Sequence, residues 1–196
     1  MDALAEGREV SALIAAVVVL TNLAYTAGFD TDARCPAWVE YDLEPSEIVQ
    51  ADRAPIPFKS DGRVAEASDN AEDYAGSGYD RGHMAPAADF NFNRQALEET
   101  YLYSNVCPQL PAFNRGRWAE IEREAREIAK GGKVRIVTFP EYDERYTNRM
   151  GRVRIPDSFV KVAYGDFGCK MWRVNFSDRG ASSDETGKTK NGENQK

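Results

Sequence analysis

The sequence predicts an α+β fold with a mainly antiparallel sheet flanked by helices. Two observations carry this. One strong amphipathic helical pattern lies near the middle of the chain, and short strand-like runs stand on both sides of it. A length of 196 residues, 42% hydrophobic and 29% charged, suits one domain of ordinary size. Residues 1–10 read as an acidic lead, 11–176 as the domain and 177–196 as a disordered polar tail.

The elements follow in order. Leu13–Leu20 reads as a buried strand, because the apolar run from Ala12 to Leu20 has only nine residues and a membrane span needs about 20. Acidic residues before it remove the positive start of a signal peptide, so neither a signal peptide nor a transmembrane segment is evident. The sequence does not set the compartment. Val39, Tyr41 and Leu43 alternate with Glu40 and Asp42 as in a half-buried strand. Residues 51–78, with Pro55, Pro57, Gly62, Gly76 and Gly78, read as loop. Strands are predicted through Asp80–Met84 and Tyr101–Val106, the second stopped by Pro108. Between them Asn93 caps a short helix from Arg94 to about Thr100.

The clearest helix runs from Asn114, a candidate cap, to Lys130. Trp118, Ile121, Ala125 and Ile128 form one apolar stripe, and Gly131-Gly132 ends it. Short strands follow at Val134–Val137, Arg152–Ile155, Phe159–Tyr164 and Lys170–Phe176.

Charge separates along the chain. The net charge is −7, and the first 50 residues alone hold nine acidic and two basic side chains. Residues 111–154 reverse the balance, with 11 basic and 7 acidic. A nucleic-acid site in the later part of the chain is compatible with this, though charge alone does not predict one. Cys35, Cys107 and Cys169 are too few for a disulfide framework and read as buried free thiols, with a Cys35–Cys169 bridge the alternative. One histidine excludes a His/Cys zinc cluster.

That histidine, His83, lies in Asp80-Arg81-Gly82-His83. A cation and bare backbone beside an imidazole suit an anionic substrate. Downstream come Ser104-Asn105-Val106-Cys107-Pro108-Gln109 and the helical pattern Asn114-x-x-x-Trp118-x-x-x-Glu122, so that His83, Asn105, Asn114 and Glu122 are separated by 22, 9 and 8 residues. Together DRGHMAPAADF, SNVCPQ and N-x-x-x-W-x-x-x-E resemble the DNA/RNA non-specific endonuclease family, the DRGH-motif ββα-metal (His-Me finger) nucleases. The likeness extends over about residues 20–165.

The resemblance implies a core of two antiparallel strands and one helix around a metal. It implies hydrolysis of DNA and RNA phosphodiesters with little sequence preference, using Mg²⁺, with Mn²⁺ as a substitute. His83 is then the general base that takes a proton from the attacking water. Asn114 is the direct metal ligand, where the residues alone allow a helix cap. Glu122, about 80° around the helix and two turns on, would hold metal-bound waters, where the residues alone allow a pair with Arg126. Asn105 orients the site or merely turns the strand end. Arg81 is a phosphate clamp or half of a buried ion pair. Arg53, in R-x-x-x-x-F-x-x-D, matches the family's arginine that stabilises the transition state. Arg117 is a phosphate contact or a surface charge, and Asp80 is structural. Met84, Phe113 and Trp118 read as core.

The family's usual Thr-Gly-Pro is Thr138-Phe139-Pro140 here, so a differing loop is expected, with a reduced closing segment. That departure and the acidic balance favour an alternative, a nuclease-like domain that binds nucleic acid or a protein without turnover. The intact His–Asn–Asn–Glu set opposes it. DNA and RNA are the expected partners and no membrane is. A homodimer is compatible with the sequence but not read from it.

Overall fold

The computed structural model describes residues 17–50, 54–143 and 147–175. The acidic lead, the polar tail and Arg53 lie outside the described residues.

Six antiparallel strands form the main sheet: β1 (Val17–Thr21), β2 (Thr26–Asp30), β3 (Cys35–Leu43), β6 (Val134–Glu141), β9 (Ser158–Gly165) and β10 (Gly168–Asn175), in the spatial order β1-β2-β3-β6-β9-β10. Two short helices, α1 (Ala65–Ser68) and α2 (Ala71–Tyr74), lead into a separate ribbon of β4 (Asp80–His83) and β5 (Val106–Gln109). Helix α3 (Arg94–Glu99) lies between the ribbon strands, and Asn93 Oδ1 caps it by accepting from Ala96 N, as expected. After β5 come α4 (Pro111–Phe113), a π-helical turn over Asn114–Trp118, and α5 (Ala119–Ala129). A small hairpin, β7 (Arg149–Met150) and β8 (Val153–Arg154), precedes β9.

Helix α5 packs on the sheet because its apolar residues recur on one face. Ile121, Ala125 and Ala129 are buried, while Ile128 is only half-buried. Trp118 at its head stacks with Phe113 and lies 5.6 Å from the ring of Phe159 on β9. Strand β6 alternates along its whole length, burying Val134, Ile136, Thr138 and Pro140 in turn, while β9 is buried on both faces from Ser158 to Lys161.

Several expectations are corrected. The first strand is not buried. It is an edge strand with Val17 and Val19 46% and 62% exposed, because among the described residues only β2 pairs with it; residues 13–16 lie outside the description. Residues 103–105 form a 3-10 turn, and the strand begins at Val106 and runs through Pro108. A two-stranded ribbon leaves one edge of each strand without a ladder partner, so the missing proline N–H is tolerated. The helix begins with Pro111 at its first position, and the N–H of Asn114 donates to Leu110 O at 2.9 Å, so Asn114 is inside the helix and is not its cap. Phe139 lies within β6, paired with Val160 of β9, and the expected loop is strand. The 51–78 segment holds a 3-10 turn at 62–64 besides α1 and α2. All three cysteines are free, and Cys169 is exposed on the edge strand β10.

Candidate active site

The β4–β5 ribbon presents the DRGH segment. Its register sets His83 opposite Val106 and Gly82 opposite Cys107. Side chains alternate along a strand, so Asp80 and Gly82 share one face and Arg81 and His83 the other. Glycine is required at 82 by close approach: a Cβ there would lie 2.1 Å from Cδ of the buried Gln109.

On the Arg81 and His83 face stands an aromatic wall. Its geometry comes from Lys59, whose N–H donates to Tyr101 O and whose carbonyl accepts from Tyr103 N, which brings Phe58 against both tyrosines. The His83 ring lies 5.2 Å from that of Phe58 and meets Tyr101 edge-on at 5.0 Å. Arg81 Nε donates to Tyr103 Oη at 2.9 Å, and its guanidinium carbon lies 5.4–5.9 Å from the ring centres of Tyr74, Phe58 and Tyr103. Among the described residues Arg81 makes no ion pair, which removes the buried-pair reading. Phe58 therefore touches both candidate residues of the strand.

On the other face Asp80 ties the ribbon to the helix. Its Oδ2 accepts from Asn114 Nδ2 at 2.9 Å and from Arg115 Nε at 2.8 Å, and its Oδ1 accepts from Arg115 Nη2 at 2.6 Å. Burial raises the Asp80 carboxyl, but bonds from Arg115 and Asn114 outweigh it and hold the group below the ordinary aspartate value. The expected structural role of Asp80 is thus observed. The helix is distorted where this happens: Gly116, at φ −104° and ψ −112°, leaves helical geometry inside the π-turn.

Asn105 is fully buried. Its Oδ1 accepts from Ala85 N, and its Nδ2 donates to Ala85 O and Thr100 O, each at 2.9 Å, while its backbone carbonyl accepts from Met84 N. It therefore clamps the chain just beyond His83. Met84, Phe113 and Trp118 are buried in the core as expected.

Glu122 lies on α5 amid Lys161, Asp89, Arg126 and Arg123. Burial pushes its carboxyl up to about 7, against the pull of Lys161. The expected i+4 partner Arg126 instead binds Asp89 at 2.8 Å, and Tyr41 Oη donates to the other oxygen of Asp89 at 2.6 Å. Arg117 binds Glu124 at 3.0 Å.

Sequence reasoning missed Lys161, Arg115 and the aromatic wall. Lys161 carried a readable signal, a single charge inside the apolar run Phe159–Ala163. The wall had none, since Phe58 meets it only through the loop. Among the described residues no group of three or more His, Cys, Asp and Glu is placed to hold a metal ion. The candidate donor set is instead Asn114, whose Nδ2 is committed to Asp80 and whose Oδ1 accepts no hydrogen bond among the described residues.

A mainly antiparallel sheet with a strand–strand–helix unit carrying DRGH defines the class of ββα nucleases. The model of the DNA/RNA non-specific endonuclease family matches residues 9–184, and the chain belongs to that family. Its relatives include the mitochondrial nuclease of Saccharomyces cerevisiae, 42% identical over 119 residues covering 58% of this chain and 36% of the relative. Nuclease 1, mitochondrial, of Schizosaccharomyces pombe is 38% identical over 158 residues, 72% of this chain and 49% of the relative. Human Endonuclease G, mitochondrial, is 34% identical over 155 residues, 71% and 52%. The chain thus spans about half or less of the length of these relatives. A chain in the crystal structure of the EndoG/EndoGI complex superposes with a TM-score of 0.70 at 27% identity, covering 81% of this chain and 74% of that one. Among the described residues no helix is long and apolar enough to cross a membrane.

Proposed function

We propose that this chain is a metal-dependent endonuclease that hydrolyses DNA and RNA phosphodiesters with little sequence preference. The observation that carries the reading is the Asp80 tie, which fixes Asn114 and Arg115 of the helix to the strand bearing Arg81 and His83. The family match over residues 9–184 supports it.

Each residue has a task that its surroundings suit. His83, braced by Phe58 and Tyr101, takes the proton of the attacking water in its neutral form. Arg81, held by Tyr103, offers its remaining N–H groups to a phosphate oxygen. Asn114 has its nitrogen occupied by Asp80, which leaves its carbonyl oxygen as the atom for a ligand, and a hard cation that keeps most of its waters suits one such oxygen. Mg²⁺, or Mn²⁺ in its place, would be held by Asn114 with Glu122 accepting from its waters, and when bound supplies charge stabilisation at the phosphate and leaving oxygens. Asn105 positions the backbone after His83. Arg53 takes the transition-state role that the resemblance gives it. Contacts to backbone phosphates carry no sequence information, which accounts for low specificity.

The test is incubation of the purified chain with supercoiled plasmid and with RNA. Cleavage is expected with Mg²⁺ and none with chelator, and His83→Ala should abolish it while the circular dichroism spectrum is unchanged. Undiminished cleavage by His83→Ala overturns the reading. The non-catalytic alternative loses its structural ground, since Phe139 sits in β6 and alters no loop. The names of the relatives make the mitochondrion the first compartment to test.

A further inference from the structure

We propose that Tyr103 is a positioning residue for the reaction: its phenol turns Arg81 so that the guanidinium meets a substrate phosphate with its two terminal nitrogens. The inference deepens the nuclease reading and rests on it.

Tyr103 belongs to the turn at 103–105 and is 3% exposed. Three contacts fix it. Its N–H donates to Lys59 O at 2.9 Å, its ring stacks on that of Tyr74 with centres 5.7 Å apart, and the Phe58 ring lies 6.0 Å away. The phenol oxygen is therefore a point anchored in the core, and the longer, half-buried side chain of Arg81 is the one that adapts to it.

The aromatic rings alone would not orient Arg81. Phe58, Tyr74 and Tyr103 stand at nearly equal distances, 5.4–5.9 Å, from its central carbon, and attraction to a ring face is only weakly directional. A hydrogen bond is directional. Among the described residues the bond from Arg81 Nε to Tyr103 Oη, at 2.9 Å, is the only one the guanidinium makes.

The choice of nitrogen matters. A guanidinium grips a phosphate side-on, through Nε and one terminal nitrogen, or end-on, through both terminal nitrogens. With Nε given to the phenol, the side-on grip is closed and the end-on edge remains. The acceptor is a neutral hydroxyl, so the positive charge is not cancelled. Arg81 and His83 share one face of β4, and the direction of the grip thus sets where the phosphate lies relative to the imidazole. One hydroxyl, absent from phenylalanine, separates an oriented clamp from a cation that merely rests on a ring.

Tyr103→Phe keeps the ring and removes only the acceptor. In plasmid cleavage with Mg²⁺ it should lower kcat by about tenfold or more, the worth of one charge-assisted hydrogen bond. KM should change by less than about twofold, and the salt slope of binding in calcium should stay at the wild-type value, because no charge is lost. In an Arg81→Ala chain the same substitution should change cleavage by less than about twofold. A merely structural tyrosine would cost the same factor in both backgrounds, and that result overturns the proposal. A second readout needs no cleavage. The Arg81 Nε–H signal in nitrogen-15 NMR, identified by its loss in Arg81→Ala, should exchange with water about tenfold faster in Tyr103→Phe. Equal exchange rates in wild type and Tyr103→Phe also overturn the proposal. Wild-type protein that cuts nothing overturns the nuclease reading instead, and the exchange rate still decides whether Tyr103 holds Arg81.

Discussion

Replacing Asn105 with alanine removes three hydrogen bonds at once, two to Ala85 and one to Thr100. The groups left behind, an N–H and two carbonyls, lie beside a side chain that is fully buried. A typical intramolecular hydrogen bond contributes about 1 kcal/mol net, and a buried polar group left unpaired costs about 1–3 kcal/mol. The expected loss is therefore about 3–5 kcal/mol, a large share of the ~5–15 kcal/mol that holds an ordinary domain folded. Urea unfolding followed by circular dichroism reads it directly. With a slope of about 2 kcal/mol per molar, the midpoint should fall by roughly 2 M at unchanged slope. Asn105→Asp sharpens the test, because it keeps an acceptor for Ala85 N but turns a carboxylate toward two carbonyls, so it should be at least as harmful as alanine. Cleavage per folded molecule should fall in both, since the clamp fixes the chain just after His83. A midpoint for Asn105→Ala within about 0.3 M of wild type would refute the reasoning.

Gly82→Ala should cost about 1–3 kcal/mol of stability, measured in the same way, because its Cβ would lie 2.1 Å from a Gln109 side chain that is itself buried. The pH dependence should carry the mark of Glu122. Burial raises its carboxyl from 4.5 to about 7, so between those values the folded state holds a proton that the unfolded chain has released. Its contribution to stability therefore falls as pH rises through that window, while the ionised fraction needed for cleavage rises. Denaturation midpoints should lose this component in Glu122→Gln, and the acidic limb of the wild-type cleavage profile should lie near neutrality.

The parts of the fold that local chemistry decides were legible. Asn93 caps its helix, β4 begins at Asp80, and the stripe on α5 faces the core, each because a few neighbouring residues set the outcome. Errors arose where tertiary context decides. Pro108 looks like a strand stop unless the strand belongs to a two-stranded ribbon. Asn114 looks like a cap unless Pro111 has already opened the helix. Val17 and Val19 look buried unless β1 stands at the edge of the sheet, as it does among the described residues. At the candidate site, motif spacing singled out His83, Asn105, Asn114 and Glu122, but not the contacts around them. Asp80 to Arg115 spans 35 residues and Asn105 to Ala85 spans 20. Phe139 shows the same limit, since a bulky residue in place of glycine is harmless once the segment is a strand between two partners.

An acidic chain proposed to cut a polyanion must place its few available cations well. Most arginines here are neutralised: Arg63 by Asp61, Arg115 by Asp80, Arg126 by Asp89, Arg135 by Asp42 and Arg152 by Asp73. Arg81 is held by aromatic rings and one phenol, which fix its plane without cancelling its charge. Arg81→Ala should therefore weaken binding of single- and double-stranded substrates alike and lower the slope of log affinity against log salt by about 1, the signature of one lost phosphate contact. Arg81→Lys keeps the charge but neither the stacking plane nor the fork, so it should retain the salt slope while cleavage still falls by about tenfold or more. Filter binding in calcium across a salt series, with plasmid cleavage in parallel, separates the two. An unchanged slope in Arg81→Ala would show that this guanidinium braces the aromatic wall and touches no phosphate.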